Sequence, residues 1–356
     1  MDRGKPGLRL PAEKGYTRLS TKAESWERQL ISLVDRWGRR ITRLRLAVSD
    51  QCNLRCVYCR PRAGASGATR GRLLSTAEIM AVVEAAVACG VSSIRLTGGE
   101  PLLREDLLGV IGRIAGLRSG LDIAVTTNGI LLSKLAGPLS ESGLNRVNVS
   151  LDSLRGDRFR AITGHDSCRA VVAGLKAAAR AGLWPIKVNV VLMRGRNDDE
   201  ALDMVQFAAD HGYQIRFIEF MPLDGEQEWL PDAMVCADEV RAQVEGVFGL
   251  TPLPAGDSPG DEYLLGPGPT RVSFIGPISH PFCDRCNRIR VTADGFLRPC
   301  LFSRSECDLH PALASDRPQE ALIEALSAAA ANKPAGHGVS DRGFVRPARA
   351  MFAIGG

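Results

Sequence analysis

The sequence predicts an α/β protein: a partial (β/α)6 TIM-like barrel with a smaller C-terminal domain. Three observations carry this. Between residues 43 and 224, strand-like and helix-like stretches alternate through six units, the rhythm of parallel βα structure. Several strands alternate apolar and polar residues, as in Ile94 and Leu96 against Arg95 and Thr97, or Ile186 and Val188 against Lys187 and Asn189. A parallel strand buried on both faces would be almost wholly apolar, so one face of this sheet meets a wet lumen. The strand ends read SDQCN, TGGEP, TTNG, SLDS, LMRG and EFMPL, the small, polar, glycine-bearing ends on which a βα barrel builds its site. Six units fit a partial barrel better than an open doubly wound sheet, which pattern alone leaves as the alternative.

The elements follow in order. Residues 1–37 form a polar N-terminal extension, within which residues 24–38 read as one helix. The barrel spans residues 38–250. RLRLAVSD is its first strand; the helix STAEIMAVVEAAVACG follows, with Ser75 and Glu78 in capping-box spacing and Gly90 at its stop. SIRLTGGE, LDIAVTTNG, LNRVNVSLDS, PIKVNVVLMRG and YQIRFIEFMPL are the later strands, each separated from the next by a helical pattern. Past Asp224 the rhythm breaks. TPLPAGDSPGDEYLLGPGPT reads as linker, and a C-terminal domain covers residues 251–356, with one clear helix in RPQEALIEALSAAAA.

Composition narrows the class. With 45% hydrophobic residues the chain can bury a sizeable core. A net charge of +5 is too weak to argue for nucleic acid and suits an anionic small substrate. Aromatic content of 5% and the lack of a dense basic run weigh against a nucleic-acid-binding iron–sulfur or zinc sensor. No stretch approaches a membrane span and the start has no apolar export signal, so the expected compartment is the cytoplasm.

Six of the ten cysteines fall in two tight groups, Cys52, Cys56, Cys59 and Cys283, Cys286, Cys300. In a cytoplasmic chain such groups are metal ligands or redox groups rather than a disulfide framework. A structural zinc site wants four ligands, whereas three thiolates leave one iron of a four-iron cube open to a non-protein ligand. A remote residue could complete a zinc site at the first group, and Cys307 could do so at the second. Cys89, Cys168, Cys236 and Cys307 read most simply as scattered small hydrophobes. Arg288 and Arg290, two apart on an extended stretch beside the second group, face one side. Their guanidinium forks suit phosphate or a purine edge.

The pattern CxxxCxxC at Cys52, Cys56 and Cys59, with TGGEP at Thr97–Pro101, resembles the radical S-adenosylmethionine (SAM) superfamily. The resemblance implies that SAM binds the open iron and that its reductive cleavage yields a 5′-deoxyadenosyl radical. The glycines of TGGEP would let backbone approach the ligand, an unpaired amide or carbonyl meeting its amino group. Both cysteine groups, CNRIRVTADGFLRPCLF and the ending IGG together resemble the GTP 3′,8-cyclases of molybdenum cofactor biosynthesis, over roughly residues 38–356. The C-terminal domain is then an iron–sulfur domain with an auxiliary cluster. The implied reaction removes the ribose 3′ hydrogen of GTP and joins that carbon to guanine C8, giving 3′,8-cyclo-7,8-dihydro-GTP, the first step towards molybdopterin.

The resemblance assigns residues. Two 4Fe-4S clusters would sit on Cys52, Cys56, Cys59 and on Cys283, Cys286, Cys300. SAM would meet Tyr58, Gly99, Ser150 and Met221. GTP would meet Arg45, Arg95, Thr126, Lys187 (at the triphosphate), Arg288, Ile289 and Arg290, and Arg288, Arg290, Gly355 and Gly356 would serve catalysis. Arg45, Arg95 and Lys187 would bring positive charge to the lumen; their rival reading pairs the two arginines with Asp50 or Glu100. A terminal Gly-Gly is otherwise a frayed tail, but in this family it enters the site, where a chain without Cβ can thread. An external electron donor and the next pathway enzyme, cyclic pyranopterin monophosphate synthase, are implied partners, and a homodimer is compatible. Arg60 stands where the family more often has methionine, and Gln51 where arginine is common. A peptide-modifying two-cluster radical enzyme is the rival within the superfamily; it usually carries more C-terminal cysteines.

Overall fold

The computed structural model describes residues 32–60, 71–224, 229–254, 256 and 259–355. Six strands, β1 (Arg43–Ser49), β2 (Ser93–Gly98), β3 (Asp122–Thr127), β4 (Arg146–Ser150), β5 (Lys187–Leu192) and β6 (Gln214–Glu219), pair in sequence order, all parallel. Between them run α1 (Thr76–Ala88), α2 (Leu107–Ala115), α3 (Leu132–Glu141), α4 (Gly156–Thr163), α5 (Cys168–Arg180) and α6 (Ala201–His211). The capping box of α1 is present: Ser75 Oγ accepts from Glu78 N, and the Glu78 carboxylate accepts from Ser75 N. The C-terminal strand ends that open onto helices and the polar alternation match the reading of a partial barrel.

Alternation along the strands sorts the sheet's two faces. Leu44, Leu46, Ile94, Leu96, Val188 and Val190 are fully buried in one large apolar cluster against the helices. Arg45, Arg95, Thr126, Ser150, Asn189 and Arg216 line the central cavity instead.

The C-terminal region joins the same sheet. After α7 (Ala237–Phe248) come β7 (Leu250–Pro252), β8 (Asp261–Leu265), β9 (Arg271–Ile275), β10 (Arg288–Val291), β11 (Phe296–Arg298) and β12 (Cys307–Asp308). Strand β9 pairs parallel with β6, and β10 pairs parallel with β1. The chain between them therefore crosses from one edge of the six-stranded core to the other, and it carries Cys283 and Cys286 on the way. The full order is β12-β11-β10-β1-β2-β3-β4-β5-β6-β9-β8-β7. Helices α8 (His310–Leu313) and α9 (Pro318–Ala331) follow, and α10 (Met351–Ile354) leads to a buried Gly355.

The helix expected over residues 24–38 falls partly outside the described residues. Its described part, 32–38, is not helical: Val34 bridges Arg40, and Asp35 Oδ1 accepts from Trp37 N and Arg39 N, each at 2.9 Å. An aspartate that hydrogen-bonds its own turn, with Gly38 at φ 79° closing it, outcompetes the helix.

Candidate active site

All six clustered cysteines line one cavity at the C-terminal ends of the barrel strands, with Tyr58, Gly99, Thr126, Ser150, Met221, Arg45, Arg95, Arg288 and Arg290. The cysteine loop is held from beneath by the TGGEP loop. Gly99 N donates to Ser49 O at 2.8 Å and Glu100 N to Gln51 O at 2.6 Å. A Cβ on Gly98 (φ +142°) would lie 2.2 Å from Ser49 O, and one on Gly99 would lie 2.3 Å from Gln51 O. The expectation that this glycine pair offers a free amide to a ligand is corrected for the amides of Gly99 and Glu100: they are spent on the cysteine loop, and the close approach is backbone to backbone.

Glu100 braces the same junction. Its carboxylate accepts from Leu102 N (3.0 Å), Thr127 Oγ1 (2.7 Å) and Asn128 N (2.7 Å). Burial raises its pKa to about 7 against these donors. The rival pairing of Arg45 and Arg95 with this carboxylate does not form; its hydrogen bonds go to these donors. Across the loop, Tyr58 Oη donates to Asp152 Oδ2 at 2.7 Å, and Asp152 Oδ1 accepts from Val191 N at 2.8 Å. Burial pushes Asp152 up to about 6.

Cys56 and Cys59 of the first group and Cys286 of the second sit in opposite electrostatic settings, while burial raises Cys283 of the second group. Burial, then neighbouring Cys52, holds the Cys59 thiol up at about 12; burial, then Cys59, Asp152 and Cys52, raises Cys56. Burial also raises Cys286, but Arg288, Lys333 and Arg290 outweigh it and bring that thiol down to about 7. Among the described residues no three His, Cys, Asp or Glu side chains gather tightly enough for a single ion. Tetrahedral zinc would draw its sulfurs to about 3.8 Å of one another, given Zn–S bonds of about 2.3 Å. A cube gives each thiolate its own iron, so three spaced, half-buried thiols on one cavity fit a cube. Cys307, the residue that could have completed a second zinc site, is exposed on β12 and outside the cavity lining.

Five guanidinium groups face the lumen: Arg45, Arg95, Arg216, Arg288 and Arg290. None forms an ion pair among the described residues; Arg216 Nε and Arg288 Nε are buried with no hydrogen-bond partner. Burial first, and then one another's charge, depresses their pKa values, to about 10 for Arg216 and Arg290. Arg216 was not singled out from sequence, although QIRFIEF places it on the lumen face by the same alternation that marks Arg95. Asn189, Lys333, Phe282 and His337 also line the cavity without having been singled out.

Three expected residues sit differently. Lys187 begins β5, facing away from the apolar cluster but outside the cavity lining; burial, then Arg216 and Arg146, lowers its pKa to about 7. The Ile289 side chain is buried in the apolar core between Arg288 and Arg290, leaving only its backbone towards a ligand. Gly355 is inserted beneath β1 and β2: Arg290 Nη1 donates to its carbonyl at 3.3 Å, and a Cβ there (φ +86°) would lie 3.0 Å from both Ala47 and Thr97 side chains. Gly356 lies outside the described residues. Arg60 has a place too: its guanidinium stacks on the Phe352 ring at 5.1 Å, tying the cysteine loop to α10.

Comparison with known proteins adds the family. Residues 46–208 match the radical SAM superfamily, and residues 213–339 match the family described as Molybdenum Cofactor Synthesis C. The chain is 45% identical to a GTP 3′,8-cyclase of Streptomyces coelicolor over 91% of its length and 96% of that protein's. It is 44% identical to one of Mycolicibacterium smegmatis, over 91% and 92%. SAM-bound SuiB of Streptococcus suis shares the fold at TM-score 0.56 and 14% identity, over 85% of this chain and 71% of that one. The SAM-bound enzyme anSMEcpe does so at TM-score 0.52 and 15% identity, over 78% and 79%. The chain belongs to the GTP 3′,8-cyclase family, within the radical SAM superfamily.

Proposed function

We propose that this chain converts GTP to 3′,8-cyclo-7,8-dihydro-GTP, the first step of molybdopterin biosynthesis, with SAM and two 4Fe-4S clusters. The observation that carries the reading is the single cavity shared by two three-cysteine groups and five unpaired arginines. When bound, SAM on the cluster of Cys52, Cys56 and Cys59 supplies a radical able to remove a ribose hydrogen.

The protein's own part is placement and shielding. Tyr58, Gly99, Ser150 and Met221 line the cavity and would seat SAM, with Met221 packed in the apolar cluster that includes Cys300. Asp152, steadied by Tyr58 and Val191 N, gives that side negative character. Arg45, Arg95, Arg216 and Lys187 would take the triphosphate. Arg288 and Arg290, with the Ile289 backbone and Thr126, would orient the nucleoside against the second group. Cys283, Cys286 and Cys300 would hold the auxiliary cluster, leaving one iron for the base. Gly355 fills the space beneath β1 and β2, which would keep solvent from the reacting ribose, and the resemblance assigns Gly356 the same part. The reading also implies an external electron donor and a downstream synthase that takes the product; a homodimer stays compatible with it. The cytoplasm is the proposed compartment, where thiols stay reduced; no helix among the described residues is long and apolar enough to cross a membrane.

Anaerobic incubation with SAM, dithionite and GTP tests the whole, with products read by mass spectrometry. 5′-Deoxyadenosine together with cyclised nucleotide is expected, and about eight irons per chain from two four-iron clusters. SAM cleavage without a GTP product, or zinc in place of iron, overturns it.

A further inference from the structure

The C-terminal tail has several anchors. Arg349 is bound by the Asp294 and Glu306 carboxylates, Met351 N donates to Leu223 O at 3.1 Å, and the Gly355 carbonyl accepts from Arg290 at 3.3 Å. None of these partners belongs to the first cysteine loop. The tail meets that loop through α10. Ala350, Phe352 and Ala353 form a small buried cluster against which Cys59 packs, and Phe352 N donates to the Cys59 thiol.

Over the Phe352 ring lies Arg60, its guanidinium carbon 5.1 Å from the ring centre. The same guanidinium donates through Nη1 to Cys52 O at 3.3 Å, and Arg60 N donates to Cys56 O at 3.0 Å. Arg60 therefore grips the loop at its first and second cysteines while its charge rests on the tail. A ring face attracts a cation through its quadrupole and gives a neutral side chain of the same length no such hold. Helix α10 has only four residues, so a hold on Phe352 is a hold on Gly355, three residues later and inserted beneath β1 and β2. We infer that Arg60 is a positioning residue that latches the C-terminal tail onto the first cysteine loop, so that the loop that would cleave SAM and the tail that closes the site keep one arrangement. The latch is a matter of this chain's own contacts; its consequence for turnover rests on the proposed reading of the cavity.

Hydrogen exchange in the reconstituted holoenzyme tests the latch without turnover, with iron content checked in each variant. Arg60→Gln keeps a donor and loses the charge, Arg60→Lys keeps the charge, and Phe352→Leu removes the ring but leaves an apolar side chain. The amides of Met351, Ala353 and Gly355, all bonded in the closed tail, report its opening. Arg60→Gln and Phe352→Leu should each speed their exchange by about tenfold, the scale of one partly desolvated cation–ring contact. Arg60→Lys should exchange as wild type does. The double variant Arg60→Gln with Phe352→Leu should exchange no faster than either single one, since both remove the same contact. Exchange within about twofold of wild type in Arg60→Gln overturns the inference. So do single effects that multiply in the double variant, and an Arg60→Lys as fast as Arg60→Gln.

The consequence for turnover is read as a ratio. With SAM, dithionite and GTP, Arg60→Gln should keep its iron and its 5′-deoxyadenosine formation, and the 5′-deoxyadenosine released per cyclised nucleotide should rise several-fold. Arg60→Lys should restore the wild-type ratio. An unchanged ratio in a variant whose tail has loosened overturns the positioning role. Failure of the cyclase reading shows separately, as wild type that cleaves SAM and forms no cyclised nucleotide, and the exchange rates then decide the latch.

Discussion

Lys187 gives the sharpest test of where the triphosphate goes. In the ligand-free protein its ammonium is penalised by burial first, then by Arg216 and Arg146, and its pKa falls to about 7 from an ordinary 10.5. A triphosphate in the lumen reverses the balance of charge and returns the group to its ordinary range. At pH 8 the free enzyme then holds roughly 0.1 proton on Lys187 and the complex roughly 1, so binding takes up about 0.9 proton. At pH 6 the free group is already charged and the uptake shrinks to about 0.1 proton. Calorimetric titration with GTP in buffers of different ionisation enthalpy measures this number. GTP titrates too, so the quantity to read is wild type minus Lys187→Met, in which the nucleotide's own protons cancel.

The same shift fixes the sign in the absence of ligand. Above pH 7 the folded protein has released the Lys187 proton while the unfolded chain keeps it to about 10.5. The unfolded state binds more protons there, so stability rises with pH across that window, and Lys187→Met removes the rise. Identical proton uptake in wild type and Lys187→Met at pH 8 would refute the placement of phosphate against this lysine.

Four further outcomes are expected. Cys52→Ala should halve the iron and end SAM cleavage, whereas Cys283→Ala should halve the iron, keep 5′-deoxyadenosine formation and end cyclisation, both read by iron assay and mass spectrometry. Arg216→Met should stabilise the ligand-free protein by up to about 3 kcal/mol, since a pKa lowered from 12.5 to about 10 costs roughly 1.4 kcal/mol per unit; it should also abolish the protection that GTP gives against denaturant. Arg349→Ala strands the buried Asp294 and Glu306 carboxylates, to which it is bound at 2.9 and 3.0 Å; about 3–5 kcal/mol of stability should be lost, and limited proteolysis should show the C-terminal segment released. Gly98→Ala should drive a Cβ into Ser49 O and cost the first cluster alone, leaving about half the iron and the spectrum of the second.

The six-unit barrel was legible because each unit announces itself locally: SIRLTGGE and PIKVNVVLMRG carry both a strand and its lumen face in their alternation. The placement of the C-terminal strands was not. RVSFI and RIRV are short, and their partners, β6 and β1, are chosen by a register between residues such as Arg45 and Arg290 that lie far apart in sequence. The same holds for Arg349, whose partners lie 55 and 43 residues earlier; no local spacing marks such an ion network. The turn at Asp35–Gly38 carried a local signal in Asp-Arg-Trp-Gly that competed with the helical pattern and prevailed.

Charge bookkeeping within the fold separates scaffold from site and orders the two ligands. Arg298 and Arg349 are as deeply buried as the lumen arginines, yet they share Asp294 and Glu306, two cations against two anions. Each of these two arginines is thus held by carboxylates of the scaffold, although Arg298 Nε and Arg349 Nη2 are buried with no hydrogen-bond partner. The five lumen arginines form no ion pair among the described residues, with Glu262 near Arg216 and the second group's thiols near Arg288 and Arg290 to offset them, and a fold holds that many buried cations where a ligand completes them. The cavity is also asymmetric. Asp152 and Glu100 attend the first cysteine group, whose thiols are raised; Arg288, Lys333 and Arg290 attend the second, where Cys286 is lowered. A sulfonium with its ammonium gains at the first end and would be repelled at the second, and a triphosphate gains and loses the other way. Two nucleosides of similar size are therefore sorted before any contact to a base is made. Reversing one end, by Asp152→Asn, should weaken SAM while leaving GTP affinity in place.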